Sequence, residues 1–113
     1  MKEFYSKIAG VSQKNDDGSS RQENINLFAK EGKPLILNRE PNNKFDKNAV
    51  SVWIFVKGCF GSGTHQLGYL DSHTAEEVAP LIDKGVPVNV NITSVTGGGE
   101  DQKYRGVNIK ISY

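Results

Sequence analysis

Residues 39–50 read REPNNKFDKNAV and concentrate the side chains of this chain that could recognise a ligand. Turn chemistry accounts for residues 41–43, because proline fixes its backbone and asparagine tolerates left-handed geometry. Asp46 and Asn48 could bond nearby backbone amides and hold the entry to a following strand. A turn does not need Phe45, or an acid between two lysines. A turn interpretation and a binding interpretation of this segment therefore both stay open.

Catalytic and metal sites find no support elsewhere in the sequence. Residues 58–64, GCFGSGT, have the glycine density of a phosphate loop, but they lack its lysine and lead into a strand-like run rather than a helix. No serine, cysteine or lysine lies in a recognisable nucleophile pattern. Cys59, His65 and His73 do not offer the paired spacings of a structural zinc site, so we place them in surface loops. We expect no catalytic residue, metal or cofactor.

Composition limits the class of protein. With 113 residues, 36% of them hydrophobic and 24% charged, the chain fits one folded domain covering residues 1–113. A net charge of +1 excludes attraction to nucleic acid over the whole surface, so any such site must be local. No apolar stretch has the length of a signal peptide or a membrane helix. We therefore expect a cytoplasmic protein without a membrane partner.

Short apolar runs predict the elements that position the segment at 39–50. Residues 4–11 have the composition of a strand, and Ser20 with Glu23 forms a capping-box pattern that predicts a helix over residues 20–30. Two further runs, at 34–37 and 49–56, predict central antiparallel strands joined by the segment. We expect the buried side of these two strands to carry Leu35, Leu37, Val50 and Val52.

The second half of the sequence predicts a short strand, a helix and a hairpin. Residues 66–70 are strand-like, and Thr74 with Glu77 repeats the capping box before a helix that Pro80 should bend or split. Alternating residues over 86–112, interrupted by a glycine-rich turn, predict the hairpin. The resulting order, βαβββαββ, favours a mostly β fold, a small and partly open antiparallel β-barrel with two helices covering its ends.

Two stretches of the chain resemble the HIRAN domain, in particular its small standalone bacterial forms. They are LNREPNNKFDKNAVSVW and QLGYLDSHTAEEVAPLIDKG, and the segments IAGVS and SRQENI add to the likeness. The resemblance runs from about Ile8 to Ile111, and its most specific part is the EPxNxxDxNAV core with a downstream LGY. It implies an OB-like barrel, in agreement with the order of elements.

The resemblance also implies binding of single-stranded DNA at a free 3′ end. Phe45 lies where the family places a stacking aromatic, and Asp46 lies where it places an acid that accepts a hydrogen bond from the terminal 3′-hydroxyl. Asn42 and Asn43 belong to the loop that wraps the terminal nucleotide. Tyr69 lies at a position where the family can carry histidine, and Ser72 lies where a DNA-repair member of the family has a phosphate-contacting lysine.

Physical chemistry is consistent with such a site. Every base has a π face, so a ring such as Phe45 gains roughly 1 to 3 kcal/mol per base whatever the sequence. An ionised Asp46 only accepts hydrogen bonds, so it favours a hydroxyl and repels a phosphate. Nearby cations could offset the charge of the DNA backbone locally. These cations are Lys44, Lys47, Arg39 and Arg21.

The sequence departs from the pattern of the eukaryotic DNA-repair members of the family. Those members carry an arginine and a tyrosine just after the first strand, where this chain has Ser12 and a polar loop. Phe60 or Tyr69 is the candidate for the missing second ring. The leading interpretation is a non-enzymatic DNA-binding module whose partners are DNA ends and other DNA-processing proteins. The alternative is a protein-interaction domain that keeps the fold without the DNA site.

Overall fold

The computed structural model of the chain describes residues 2–58, 61–100 and 102–113, and the side chains of residues 61 and 62 are not described. Its elements follow the order βαβββαββ that the sequence predicts. In this part of the chain no helix has the length and apolarity needed to cross a membrane. The elements are β1 (Glu3–Ala9), α1 (Arg21–Phe28), β2 (Pro34–Arg39), β3 (Val50–Gly58), β4 (Gly61–Leu70), α2 (Ser72–Asp83), β5 (Asn89–Thr96) and β6 (Gly106–Ser112).

The strands form a closed antiparallel barrel in the order β1-β4-β3-β2-β5-β6. We expected a partly open barrel, and β1 is the reason that it closes. Most of β1 pairs with β6, from Glu3 opposite Ser112 onwards. Its last two residues pair with β4 instead, and there Ala9 lies opposite Tyr69. One strand therefore joins both ends of the sheet and brings the residues after Ala9 next to Tyr69.

The pair β2 and β3 confirms the prediction for the two central strands. They are antiparallel, and Arg39 at the end of β2 lies opposite Val50 at the start of β3. Leu35, Val50 and Val52 are buried, whereas Leu37 is half-buried and packs against the edge of the core. Branched and aromatic residues fit this pleated surface, which explains why the apolar runs became strands. The segment at 40–49 therefore projects from one end of the barrel.

Side chains at both N-termini cap the helices. The hydroxyl of Ser20 accepts a hydrogen bond from the Glu23 amide at 3.1 Å, as the sequence predicts for α1. The start of α2 differs from the prediction, because Asp71, and not Thr74, is its cap. The Asp71 carboxylate accepts from the Thr74 amide at 2.8 Å, so the helix begins three residues earlier than the capping-box pattern indicated. Such caps typically contribute about 1 kcal/mol.

Pro80 does not split α2, so of the two effects predicted for it, a bend or a split, the split is wrong. The helix is continuous from Ser72 to Asp83 with the proline inside it. Pro80 is exposed, so the hydrogen bond that it cannot donate is missing on the side of the helix that faces water. The buried side carries Ala75, Val78 and Ala79, and packing of that side keeps the two halves of the helix together.

Gly68 lets β1 and β4 approach each other beside Tyr69. A Cβ at this position would lie 2.4 Å from the Ala9 carbonyl oxygen and 2.7 Å from a methyl carbon of Ile8. Its φ of +155° is also unfavourable for other residues. We expect Gly68→Ala to lower the free energy of unfolding by about 1 to 3 kcal/mol, since backbone must move.

Denaturant unfolding followed by circular dichroism measures this effect. Gly63→Ala is the matched control, because Gly63 lies in the same strand and a Cβ there meets no atom within 4 Å. A Gly68→Ala protein as stable as the Gly63→Ala protein would show that β1 and β4 are not held at this point.

Candidate nucleic-acid interface

An open groove of about 1240 Å³ lies between two loops at one end of the barrel. The segment 40–49 between β2 and β3 forms one wall, and the segment 10–20 between β1 and α1 contributes to the other. Tyr69 at the end of β4 lies between them. The described residues that line the groove are Ala9, Gly10, Gln13, Lys14, Asp16, Arg21, Glu40, Pro41, Asn42, Asn43, Lys44, Phe45, Asp46, Ala49, Tyr69 and Leu70.

The 40–49 loop is held in shape by its own side chains. The Asn43 side-chain oxygen accepts from the amides of Phe45 and Asp46, at 2.9 and 3.1 Å. The Asp46 carboxylate accepts from the Asn48 amide at 2.8 Å. The Ala49 amide donates in turn to the Asp46 carbonyl at 3.0 Å. These bonds are those of an Asx-rich turn, so the turn interpretation of Asn43 and Asp46 is correct for their backbone contacts.

Phe45 has no part in the core. Its side chain is 96% exposed at the tip of the loop, although it is a large apolar residue. The neighbouring Lys44 is also exposed and lines the same groove. A phenyl ring that stays in contact with water does not stabilise the fold, because the hydrophobic effect stabilises only through apolar area that is buried. The turn therefore exposes the Phe45 ring to solvent, and the ring does not contribute to the stability of the fold.

Asp46 keeps part of its carboxylate available after capping the turn. It is half-buried and uses Oδ1 for the Asn48 amide. Among the described residues no hydrogen bond or ion pair involves its Oδ2. A carboxylate has two acceptor oxygens, so the capping role leaves the second one able to accept from a ligand.

Tyr69 is fixed in the groove through Glu40, a residue that the sequence analysis did not single out. The Tyr69 hydroxyl donates to Glu40 Oε1 at 2.9 Å, and the Asn43 amide group donates to the same oxygen at 3.1 Å. Partial burial raises the pKa of Tyr69, and the bond to the Glu40 carboxylate raises it further. The phenol therefore stays neutral near pH 7, and it ties β4 to the 40–49 loop.

Arg21, the first residue of α1, lies against the ring of Tyr69. Its guanidinium carbon is 5.2 Å from the centroid of the Tyr69 ring, within the range of a cation–π contact. Its Nε donates to the Asn15 side-chain oxygen at 2.8 Å, and Nη1 donates to the Gly10 carbonyl at 2.9 Å. The Asn15 amide group donates to the Gln66 carbonyl at 3.1 Å, which fastens the loop to β4.

Three of the predicted site residues, Arg39, Lys47 and Ser72, do not line this groove. Arg39 forms an ion pair with Asp83 of α2, with Nε 3.0 Å from Oδ1, and Nη1 donates to the Ala49 carbonyl at 3.3 Å. It therefore braces the base of the loop. Ser72 is exposed at the first position of α2. The structure brings together the other seven, which are Arg21, Asn42, Asn43, Lys44, Phe45, Asp46 and Tyr69.

The groove has a mixed charge. Its lining in the described part of the chain contains the cations Lys14, Arg21 and Lys44, and the acids Asp16, Glu40 and Asp46. Attraction to DNA over a long distance is therefore weak here, in agreement with the net charge of +1. Contacts at short range must provide both affinity and selectivity.

Two of the residues considered for a metal site, His65 and His73, lie on different elements of the described structure. His65 lies on β4, where its ring stacks on Phe28 with centroids 4.5 Å apart, and His73 is the second residue of α2. The expectation of surface loops is wrong for both. Cys59 and the candidate ring Phe60 lie outside the described residues. Within residues 2–58, 61–100 and 102–113, no cluster of three or more potential ligands could hold a metal ion.

Comparisons with known proteins agree with this geometry. The chain has a TM-score of 0.60 with the HIRAN domain of human HLTF, at 17% identity, covering 96% of this chain and 74% of that one. A structure of a protein from Lactobacillus plantarum also gives a TM-score of 0.60, at 19% identity, covering 99% of this chain and 100% of the other. Identities this low establish the shared fold. No curated protein matches the sequence.

The family model of the HIRAN domain matches residues 2–112. This match includes both walls of the groove and every strand and helix of the barrel. The chain therefore belongs to the HIRAN domain family, a family of DNA-binding modules.

Proposed function

We propose that this protein binds single-stranded DNA in the groove and recognises the free 3′-hydroxyl end of the strand, without chemical conversion. The observation that carries the proposal is the 96% exposure of Phe45 on a loop held by its own hydrogen bonds, directly before Asp46. An exposed ring and a carboxylate with an available oxygen are thereby presented at adjacent positions. They are the groups that a terminal nucleotide would meet with its base and its hydroxyl.

Stacking on Phe45 favours a single strand. A base inside a duplex is stacked on both faces and the base at a duplex end is held by its pairing partner, whereas the terminal base of a single strand is free to turn onto a protein ring. A protein ring on such a face contributes about 1 to 3 kcal/mol per base. The contribution is similar for all bases, so we expect little sequence preference.

Asp46 supplies the selectivity for an end. Its available oxygen accepts a hydrogen bond, and a 3′-hydroxyl can donate one. Where the strand continues, that oxygen of the sugar carries a phosphate, which has no proton to donate and repels the carboxylate.

A binding assay with short DNA tests the proposal. Fluorescence anisotropy compares one 5′-labelled single strand with the same strand in a blunt duplex. We expect the single strand to bind more tightly, and we expect its affinity to fall with salt by a log-log slope of about 0.7 for each phosphate contact. Equal affinity for both forms, or no binding of the single strand, would refute the proposal.

A protein-interaction domain is the second candidate, and one surface favours it. Ile36 of β2 lies opposite Trp53 of β3, and Phe55 follows two residues later on the same face. Ile36 and Phe55 are 44% and 55% exposed, and Trp53 is half-buried. Such an apolar patch fits contact with other DNA-processing proteins. A chain that meets partners only through this patch would show no salt-dependent binding of the single strand.

A further inference from the structure

Arg21 is a buried cation without an acidic partner in the described part of the chain. Only 6% of the residue is exposed. The ion pairs found there are Lys2 with Glu77 and Arg39 with Asp83, so no carboxylate neutralises the guanidinium. Its hydrogen-bond acceptors are two neutral oxygens, from Asn15 and Gly10. Burial of a charge is costly unless an opposite charge compensates it, and arginine does not escape by losing its proton.

The unused edge of this guanidinium belongs to the groove. Nε and Nη1 donate to the protein, whereas no hydrogen bond within the described residues uses Nη2. No described side-chain nitrogen is both fully buried and without a partner, so Nη2 reaches the accessible surface. Arg21 lines the groove, which is therefore the place where that donor is open.

None of the acids in the described lining of the groove, Asp16, Glu40 and Asp46, forms an ion pair with Arg21. The phenol of Tyr69, whose ring lies against the guanidinium, is neutral, because burial and the hydrogen bond to Glu40 raise its pKa. Glu40 itself is engaged by Tyr69 and Asn43, which both donate to its Oε1. The contacts of Arg21 also hold it in one orientation, so its open edge presents a fixed donor. These features describe a preformed site for one anion.

We propose that Arg21 binds a single phosphodiester of the bound strand and so sets the direction in which the strand lies. This inference rests on the proposed function. Two groups of the groove would then recognise different parts of the strand: the Asp46 carboxylate contacts the terminal 3′-hydroxyl, and the Arg21 guanidinium contacts a phosphodiester on the 5′ side of it. The open Nη2 of Arg21 can donate a charge-assisted hydrogen bond to a phosphate oxygen, and such a bond is roughly twice as strong as one between neutral groups.

A scan with uncharged linkages tests the inference on the wild-type protein. In a short single strand, each phosphodiester is replaced in turn by a methylphosphonate, and affinity is measured by anisotropy. We expect one linkage near the 3′ end to matter most, with a loss of about tenfold, as for one charge-assisted hydrogen bond. Replacement of the others should change affinity by about twofold or less. A scan in which no linkage stands out would overturn the inference.

Variants then identify the residue responsible. Arg21→Gln should weaken binding of the natural strand by about tenfold and make the protein indifferent to the dominant methylphosphonate. It should also reduce the log-log salt slope by about 0.7, since one phosphate contact is lost. Arg21→Lys keeps a charge and should retain part of the sensitivity. Arg105→Gln is the matched control, because Arg105 does not line the groove.

Each failure has a different meaning. Circular dichroism establishes whether the Arg21 variants fold. If they do not, Asn15→Asp places a carboxylate beside Nε and should abolish the sensitivity to the dominant linkage by supplying the missing charge internally. An Arg21→Gln or Asn15→Asp protein that folds and keeps the full sensitivity would overturn the inference alone. A wild-type protein that binds no single strand would overturn the proposed function, and this inference with it.

Discussion

Phe45→Ala is expected to lower the affinity for single-stranded DNA by about 5- to 150-fold while leaving the melting temperature nearly unchanged. The fold change corresponds to the loss of about 1 to 3 kcal/mol of stacking on one base. Stability should persist because the ring is 96% exposed, so truncation leaves no cavity. Anisotropy titration and thermal unfolding of the same preparations measure the two effects.

Tyr5→Ala is the matched control for this substitution. Tyr5 is an exposed aromatic residue of β1, 74% accessible, and it does not line the groove. Its truncation removes a similar ring from the surface and should leave DNA binding intact. If Phe45→Ala unfolds the protein, the ring supports the fold. If both variants bind as the wild type does, the groove is not the DNA site.

The wild-type protein should prefer a strand that ends in a 3′-hydroxyl over the same strand with a 3′-phosphate, by about tenfold or more. The terminal phosphate removes a hydrogen bond to the ionised carboxylate of Asp46, typically about 1.5 to 3 kcal/mol, and adds repulsion. Asp46→Asn should narrow this preference, because the amide has no charge and can itself donate. Its side-chain oxygen can still accept from the Asn48 amide, so the loop should keep its shape. Competition titrations with the two strands give the ratio directly.

Asp16→Asn separates the role of Asp46 from the overall charge of the groove. Asp16 also lines the groove, so its neutralisation removes one negative charge from the same environment. We expect both strands to bind slightly better to this variant, with their ratio unchanged. Equal binding of the two ends by the wild type would contradict end recognition and leave Asp46 as a turn residue.

The order of elements was predictable because short signals in the sequence agreed with each other. Ser20 capped α1 as its pattern indicated, and the apolar runs became β2 and β3. Closure of the barrel was not predictable, because it depends on the point where β1 stops pairing with β6 and begins to pair with β4. Pairing between strands that are distant in the sequence leaves little local signal. The start of α2 was misplaced because Asp71 and Thr74 are both good caps, and tertiary contacts decided between them. Ser6 of β1 donates to Asp71 and so fixes the earlier start.

For the candidate site, the sequence predicted the turn at 40–49, but it did not predict the residues that surround this turn in the structure. The pattern at 41–48 gave Phe45 no role in a turn, and the ring is exposed. The contribution of the 10–20 loop came from contacts over long sequence distances, such as that of Asn15 with Gln66. Arg39 looked like a groove cation from its position in the chain. Arg39 instead pairs with Asp83, which lies 44 residues away in the sequence, so no local pattern predicted this ion pair.

The internal bonding of the 40–49 loop has a consequence for the kinetics of binding. Asn43 and Asp46 already fix the backbone around Phe45 in the free protein, so the strand does not wait for the loop to rearrange. Association should then proceed at an ordinary docking rate, on the order of 10⁵ to 10⁷ M⁻¹s⁻¹, and vary little among groove variants. Differences in affinity would appear as differences in residence time. Loosening the turn with Asn43→Gly would reverse this, because the ordering of the loop would become a step on the way to the complex.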